Sequence, residues 1–387
     1  KLKKFSLLLL VLIMIFSSSN VYSYAIDEDL LLQVNFDENV QDLSGNENHG
    51  KIKGDIEYVD GVKGKAVHIT NSNGSTSAKA EQYIDFGKNI KFTNQDFAIS
   101  FWYKSDNGVS AGGALISNKD FNSGANKGLN IGDFDTGLRV NFTPESSNRY
   151  DVYNFAPIDG IWHHVAVNFD RDGYIETYLD GKSTGKTDIS NAVDKDIDVA
   201  NFVVGADGYF KNGLNNAYLD ELDVYNRLMD INEIKLQYDR TYLQYIVNEA
   251  DKFYQEASEN IKYDQAKLAA LKEVINKAKV AIENNDYSNI TILVNDINDK
   301  INDAKEGVEG VINGQVLYLS FDNENTNDDS GRENHGAGVG DLSYENGVIG
   351  KAIHIQNENG STMQTAKQYI NFGQPDDLKF KTEDFAI

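Results

Sequence analysis

Phe97–Ala98–Ile99–Ser100–Phe101–Trp102–Tyr103 is the stretch whose reading decides the fold. Successive side chains of an extended chain point to opposite faces, so Phe97, Ile99, Phe101 and Tyr103 line one side of a strand and Trp102 falls on the other. The same two-residue period recurs in Leu32, Val34 and Phe36, in Val165, Val167 and Phe169, in Ile175, Thr177 and Leu179, and in Leu222 and Val224. Asp170–Arg171–Asp172–Gly173 and Asp180–Gly181 are hairpin turn signals between such runs. Many short strands, each with one apolar face and with no helix of length between Leu30 and Tyr225, predict a mainly β fold, an antiparallel β-sandwich.

The N-terminal part of this pattern is written twice. Leu32 to Ile99 is echoed by Leu317 to Ile387: Phe36 aligns with Phe321, Ser44–Gly45 with Ser330–Gly331, Asn48–His49–Gly50 with Asn334–His335–Gly336, and His68 with His354. One domain type used in tandem points to binding more than to catalysis. Ile387 corresponds to Ile99, at the entry to a central strand, so the chain reads as a fragment of a longer protein. Between the copies the period changes. Asp230 with Glu233 reads as a capping box, and three apolar stripes follow at helical spacing: Leu243–Val247–Ala250–Tyr254, Leu268–Leu271–Ile275–Ala278–Ile282 and Ile290–Val294–Ile297–Ile301. They predict an antiparallel three-helix bundle. The expected organisation is a signal peptide over 1–25, a first β domain over 26–238, a three-helix spacer over 239–308 and a truncated second β domain over 315–387.

The chain has 387 residues, 40% hydrophobic and 11% aromatic, enough for packed cores. Sixty acidic against 36 basic residues give a net charge of −24, which argues against nucleic acid or anionic membrane as a partner. Lys1, Lys3 and Lys4 precede the apolar run Phe5–Phe16, and Ser23–Tyr24–Ala25 offers a cleavage site, the pattern of a secretory leader. The apolar run is shorter than the ~20 residues of a membrane span. A secreted or cell-surface location follows, with no membrane span after cleavage. Cysteine is absent, so no disulfide supports the fold. The Asn-, Asp-, Lys- and Ile-rich composition with three prolines suits a Gram-positive secreted protein.

In order along the chain, Phe36–Asp37, the Asp42-to-Gly50 loop, Gly64–Lys65–Ala66, Phe97-to-Tyr103, Trp162-to-Ala166, Tyr178-to-Gly181 and Leu219-to-Arg227 resemble the laminin-G-like or concanavalin A-like jelly-roll modules. The helical segment is similar to small helical repeats of Gram-positive surface proteins. The resemblance implies two packed antiparallel sheets, frequent structural calcium, and glycan or protein binding, sometimes beside a catalytic domain.

Asp42, Ser44, Asn46 and Asn48 set oxygen side chains at alternate positions on a Gly-broken loop, as a hard cation requires, or as an Asx-rich turn held by its own backbone requires. The second copy carries Arg332 in place of Asn46, which leaves Asp42 and Asn48 as shared candidates. Asp37 is expected to assist, and Asp220, on the core-facing phase of the last strand, needs a partner or a metal. Ca2+ held by Asp37, Asp42, Asn48 and Asp220 is therefore the expected cofactor. Glu221–x–Asp223 begins a glucanase strand motif, but Asn226 stands where the second carboxylate would be, so retaining hydrolysis is not supported. His163 and His164 read as structural. Tyr150, Tyr153, Tyr209 and Phe210 sit in loop-like, Asn- and Gly-rich surroundings and are the candidate sugar-stacking residues. The functional expectation is a secreted, non-catalytic carbohydrate-binding or adhesive array for a polysaccharide or glycoconjugate. An accessory region of a hydrolase with catalysis beyond residue 387, and a protein-binding or structural spacer, are the alternatives.

Overall fold

The computed structural model describes residues 28–72, 74, 76–105, 112–134, 137–146, 148–258, 263–305, 316–330, 332–347, 350–357, 365–375 and 378. The expected leader lies outside them. The chain divides into two compact units, residues 1–235 and 236–387.

The first unit is a sandwich of two antiparallel sheets. Its strands are β1 (Leu30–Val34), β2 (Lys51–Lys53), β3 (Glu57–Asp60), β4 (Lys65–Thr70), β5 (Tyr83–Asp85), β6 (Phe97–Ser105), β7 (Gly113–Ser117) and β8 (Gly128–Phe134). They continue with β9 (Gly137–Glu145), β10 (Asn148–Val152), β11 (His163–Phe169), β12 (Tyr174–Leu179), β13 (Lys182–Asp188), β14 (Val203–Val204) and β15 (Asn216–Tyr225). One sheet runs β13-β12-β11-β6-β15-β4-β3, with β1 also on β15; the other runs β10-β9-β8-β7-β14-β5-β2. The first and last strands lie side by side: Leu32 pairs with Val224 and Val34 with Leu222. β15 bulges between Asp220 and Asp223, with Glu221 at φ +47°, and there its outer partner changes from β4 to β1.

The alternation read from the sequence holds. Phe97, Ile99, Phe101 and Tyr103 face Leu129, Ile131, Leu138, Val140 and Phe142 of the opposite sheet in one core. Phe92, Phe97 and Phe169 stack in series at centroid distances of 4.1 and 4.2 Å. Each such buried ring stabilises the fold by about 1.5–3 kcal/mol. Trp102 points away from that core, as its phase requires, yet is only 2% exposed, lying between Asp220 and His164 on neighbouring strands.

Helix α1 (Ile231–Ser258) starts where the capping box placed it: the Asn232 N–H donates to Asp230 Oδ1 at 2.8 Å and the Asp230 N–H to Glu233 Oε2 at 3.3 Å. The expected domain boundary at 238 falls inside this helix. α2 (Gln265–Glu283), capped by Asp264, and α3 (Ile290–Lys305) complete the bundle around Leu243, Val247, Leu271, Ile275, Val294 and Ile297. Among the described residues no helix is long and apolar enough to cross a membrane.

The second copy contributes β16 (Ala337–Val339), β17 (Ser343–Asn346), β18 (Lys351–His354) and β19 (Tyr369–Asn371). Its pairings reproduce the register of the first: Ala337 opposite Asn371 matches Lys51 opposite Asp85, and Ser343 opposite His354 matches Glu57 opposite His68.

Candidate functional site

The four residues expected to hold calcium spend most of their side-chain capacity on hydrogen bonds within the chain. Asp42 Oδ1 accepts the Gln33 and Ser44 N–H groups at 3.1 and 2.9 Å, and its Oδ2 accepts the Asn48 N–H at 2.9 Å. Asn48 donates its side-chain amide to the Leu31 carbonyl at 3.0 Å. The second copy repeats this network on Asp328, which accepts the Tyr318, Ser330 and Asn334 N–H groups. Burial alone would raise the Asp328 carboxyl; the bonds from Ser330 and those amides outweigh it and hold it below the usual range. A carboxylate ringed by N–H donors has its lone pairs engaged and faces positive dipole ends, the opposite of what a cation needs. Asp37 accepts the Asn35 side chain and the Lys65 N–H, both at 2.8 Å, and packs against Gly64, whose φ of +64° and close approach exclude a side chain. Asp220 accepts the Lys63 and Glu221 N–H groups at 3.1 and 2.9 Å. Asp37 and Asp220 thus hold the two ends of one turn, Gly61–Lys65, while Asp42 and Asn48 stitch another loop. Among the described residues no three His, Cys, Asp or Glu side chains form a group that could hold a metal ion.

Burial, then the charge of Glu221, pushes the Asp220 carboxyl up to about 9. Burial likewise raises Asp223 to about 7 against the hydrogen bond from Gln33. Asp223 is half-buried and tied to β1 through Gln33. His163 is held by Asp180 at 2.8 Å and Asp159 at 3.1 Å. Burial pulls its pKa down, but those two carboxylates outweigh that and raise it. Both nitrogens are occupied, so the histidine is structural.

The aromatic candidates separate. Tyr150 is on β10 rather than in a loop and packs, partly buried, against the main core. Phe210 stacks on Tyr83 at 4.8 Å and joins Ala80, Val203 and Ala206 in a small cluster. Tyr153 and Tyr209 are 59% and 50% exposed. Both border the outer face of the seven-stranded sheet, where sequence reasoning named no other residue.

That face is the polar phase of β8 and β9. Leu129 and Ile131 point to the core, so Asn130, Gly132 and Phe134 point outward; Leu138, Val140 and Phe142 point inward, so Arg139, Asn141 and Thr143 point outward. Register sets Asn130 beside Asn141, and Asn141 beside Asp151. The Arg139 guanidinium lies 3.9 Å from the Phe134 ring centroid, 5.6 Å from Tyr153 and 5.9 Å from Phe121. Its ion pair with Asp151 is long, 3.9 Å, because Arg149 and Tyr153 already bind that carboxylate. Asn130 is fully buried, and neither its side-chain oxygen nor its nitrogen finds a partner among the described residues. The rim is fixed by Asp207, which accepts the Tyr209 N–H at 2.9 Å and the Phe121 N–H at 3.0 Å and so ties two loops together. Rings and a cation with spare donors on one surface provide stacking and directional hydrogen bonding, and the unfilled amide of Asn130 is buried beneath that surface.

Residues 76–235 match the family described as the concanavalin A-like lectin/glucanases superfamily. The segment is a laminin-G-like, concanavalin A-like jelly-roll domain. The non-toxic nonhemagglutinin of Paraclostridium bifermentans is 25% identical over 227 residues, 57% of this chain and 18% of its own length. The type E non-toxic nonhemagglutinin of Clostridium botulinum is 24% identical over 208 residues, 51% of this chain and 16% of its own. The chain thus spans about one fifth of the length of these relatives. Among solved structures, the binding domain of Paraclostridial Mosquitocidal Protein 1 is similar at 20% identity and a TM-score of 0.46, over 57% of this chain and 53% of that one.

Proposed function

We propose that the first jelly-roll domain is an extracellular carbohydrate-binding module of a larger protein, and that its ligand, a polysaccharide or glycoconjugate, lies on the outer face of the seven-stranded sheet. The observation that carries the reading is Arg139 caged by Phe134, Tyr153 and Phe121 beside the unfilled amide of Asn130. Tyr153 offers a flat apolar ring to a sugar face, and Arg139 offers donors to its hydroxyls. Tyr209 extends the platform along the rim. Membership of a superfamily whose description includes lectins supports the reading. A glycan array probed with the full chain and with Tyr153→Ala tests the proposal. The expected result is a defined set of bound glycans, lost in the variant. An array on which the full chain binds nothing sinks it.

A further inference from the structure

Beneath the loop that follows β7, four side chains meet in an arrangement that glycan binding does not require. Lys119 and Asn141 are fully buried. The Lys119 amine lies 2.7 Å from Asn141 Oδ1, 3.0 Å from Thr143 Oγ1 and 3.1 Å from the Gly124 carbonyl. The other end of the same amide, Asn141 Nδ2, donates to Asp151 Oδ1 at 3.0 Å. A buried nucleophile on one side of a carboxamide and a proton carrier on its leaving nitrogen are the parts an aminolysis needs. Burial draws the Lys119 pKa down to about 7, and the charges of Arg149 and Arg139 push the same way against Asp151 and Asp120. The neutral amine is therefore accessible near neutral pH, and it attacks once it gives up one of its three acceptor contacts. Burial would raise the Asp151 carboxyl, but the bonds from Arg149 and Asn141 outweigh it, so it stays a carboxylate able to take a proton.

We propose that the chain closes an intramolecular isopeptide bond between Lys119 and Asn141. The Lys119 Nζ lone pair adds to Asn141 Cγ, forming the Nζ–Cγ bond and moving the carbonyl π pair onto Oδ1. Asp151 takes one proton from the now cationic Nζ and passes it to Nδ2. Both nitrogens then sit on one carbon, so a carboxylate beside one reaches the other. The Cγ–Nδ2 bond breaks, ammonia leaves, and the oxyanion pair restores the carbonyl. One amine and one primary amide become one secondary amide and ammonia, with nothing oxidised or reduced. The product fastens the loop after β7 to β9 in a chain whose cysteine count is zero.

Mass spectrometry of the full chain tests this directly. The expected intact mass is about 17 Da below that calculated for the chain as purified, the loss of one ammonia, together with a branched tryptic peptide joining the segments that contain Lys119 and Asn141. The branched peptide separates the cross-link from succinimide formation elsewhere, which loses the same mass. Lys119→Met and Asn141→Ala are expected at their full masses. Asp151→Asn keeps both reacting side chains, so it serves if those variants fail to fold, and it is expected to remain unlinked. A wild-type chain at full mass, with Lys119 and Asn141 in separate linear peptides, overturns the proposal. A branched peptide that persists in Asp151→Asn overturns the role given to Asp151.

Discussion

The Asp42 loop and the Arg139 face are both polar regions of one sandwich, and they differ in how far their hydrogen-bonding capacity is used. Around Asp42, three backbone N–H groups converge on one carboxylate, and the same set converges on Asp328 in the second copy. Around Arg139, the guanidinium is held by rings more than by acceptors, and Asn130 below it is unfilled. A saturated polar site contributes stability and has little left for a ligand. An unsaturated one costs stability and keeps its donors for something that arrives from outside.

The comparison can be broken by exchanging the two outcomes. Asp42→Ala leaves three N–H groups without their acceptor, each worth about 1–3 kcal/mol, so a loss on the order of 3–5 kcal/mol is expected. Urea unfolding measures it; a change below about 1 kcal/mol would show that the loop is not held this way. Arg139→Gln is expected to weaken glycan binding at least tenfold, about 1.4 kcal/mol, while the melting temperature stays within a few degrees. A variant that melts early and binds normally would reverse the assignment of the two regions.

A smaller effect is expected at Asp220, whose folded pKa of about 9 lies above the unfolded value. Between those values the folded state binds more protons than the unfolded one, so this group's stabilisation is complete at acid pH and is lost as pH rises through about 9. Asp220→Asn should flatten the alkaline fall in melting temperature relative to wild type; parallel pH curves would rule the linkage out. Last comes metal removal. Melting curves in EDTA and in millimolar calcium are expected to superimpose, and a calcium-dependent rise of several degrees would return the Asp42 loop to the cation reading.

The sandwich was legible because burial imposes a period of two, and strands such as Phe97–Tyr103 display it directly. The Asp42 loop was legible as an important site because the repeat kept Asp42 and Asn48 while changing Asn46. Its chemistry was not. Oxygens at alternate positions suit a cation and suit inward-pointing amides equally, and sequence does not say which way the backbone N–H groups turn. For the Arg139 face, the polar phase of β8 and β9 was present in the sequence, and could have been read once the apolar phase was. What could not be read is the joining of Phe121 to Asp207, which depends on a contact across 86 residues. Tyr150 was misplaced for a related reason: the loop-like composition near it conceals a short strand whose inward side chain the core recruits.

The pairing of the first strand with the last has a mechanical consequence. Leu30 lies opposite Tyr225, and the Asn226 N–H donates to the Asp29 carbonyl at 2.7 Å, so the chain enters and leaves the sandwich at one corner. Tension applied through both ends pulls that antiparallel pair apart from its tip, loading one rung at a time instead of shearing all of them together. The domain should yield at low force when stretched between its termini. Single-molecule pulling from those two points would reveal a soft, stepwise opening, whereas an abrupt high-force rupture would contradict this loading geometry.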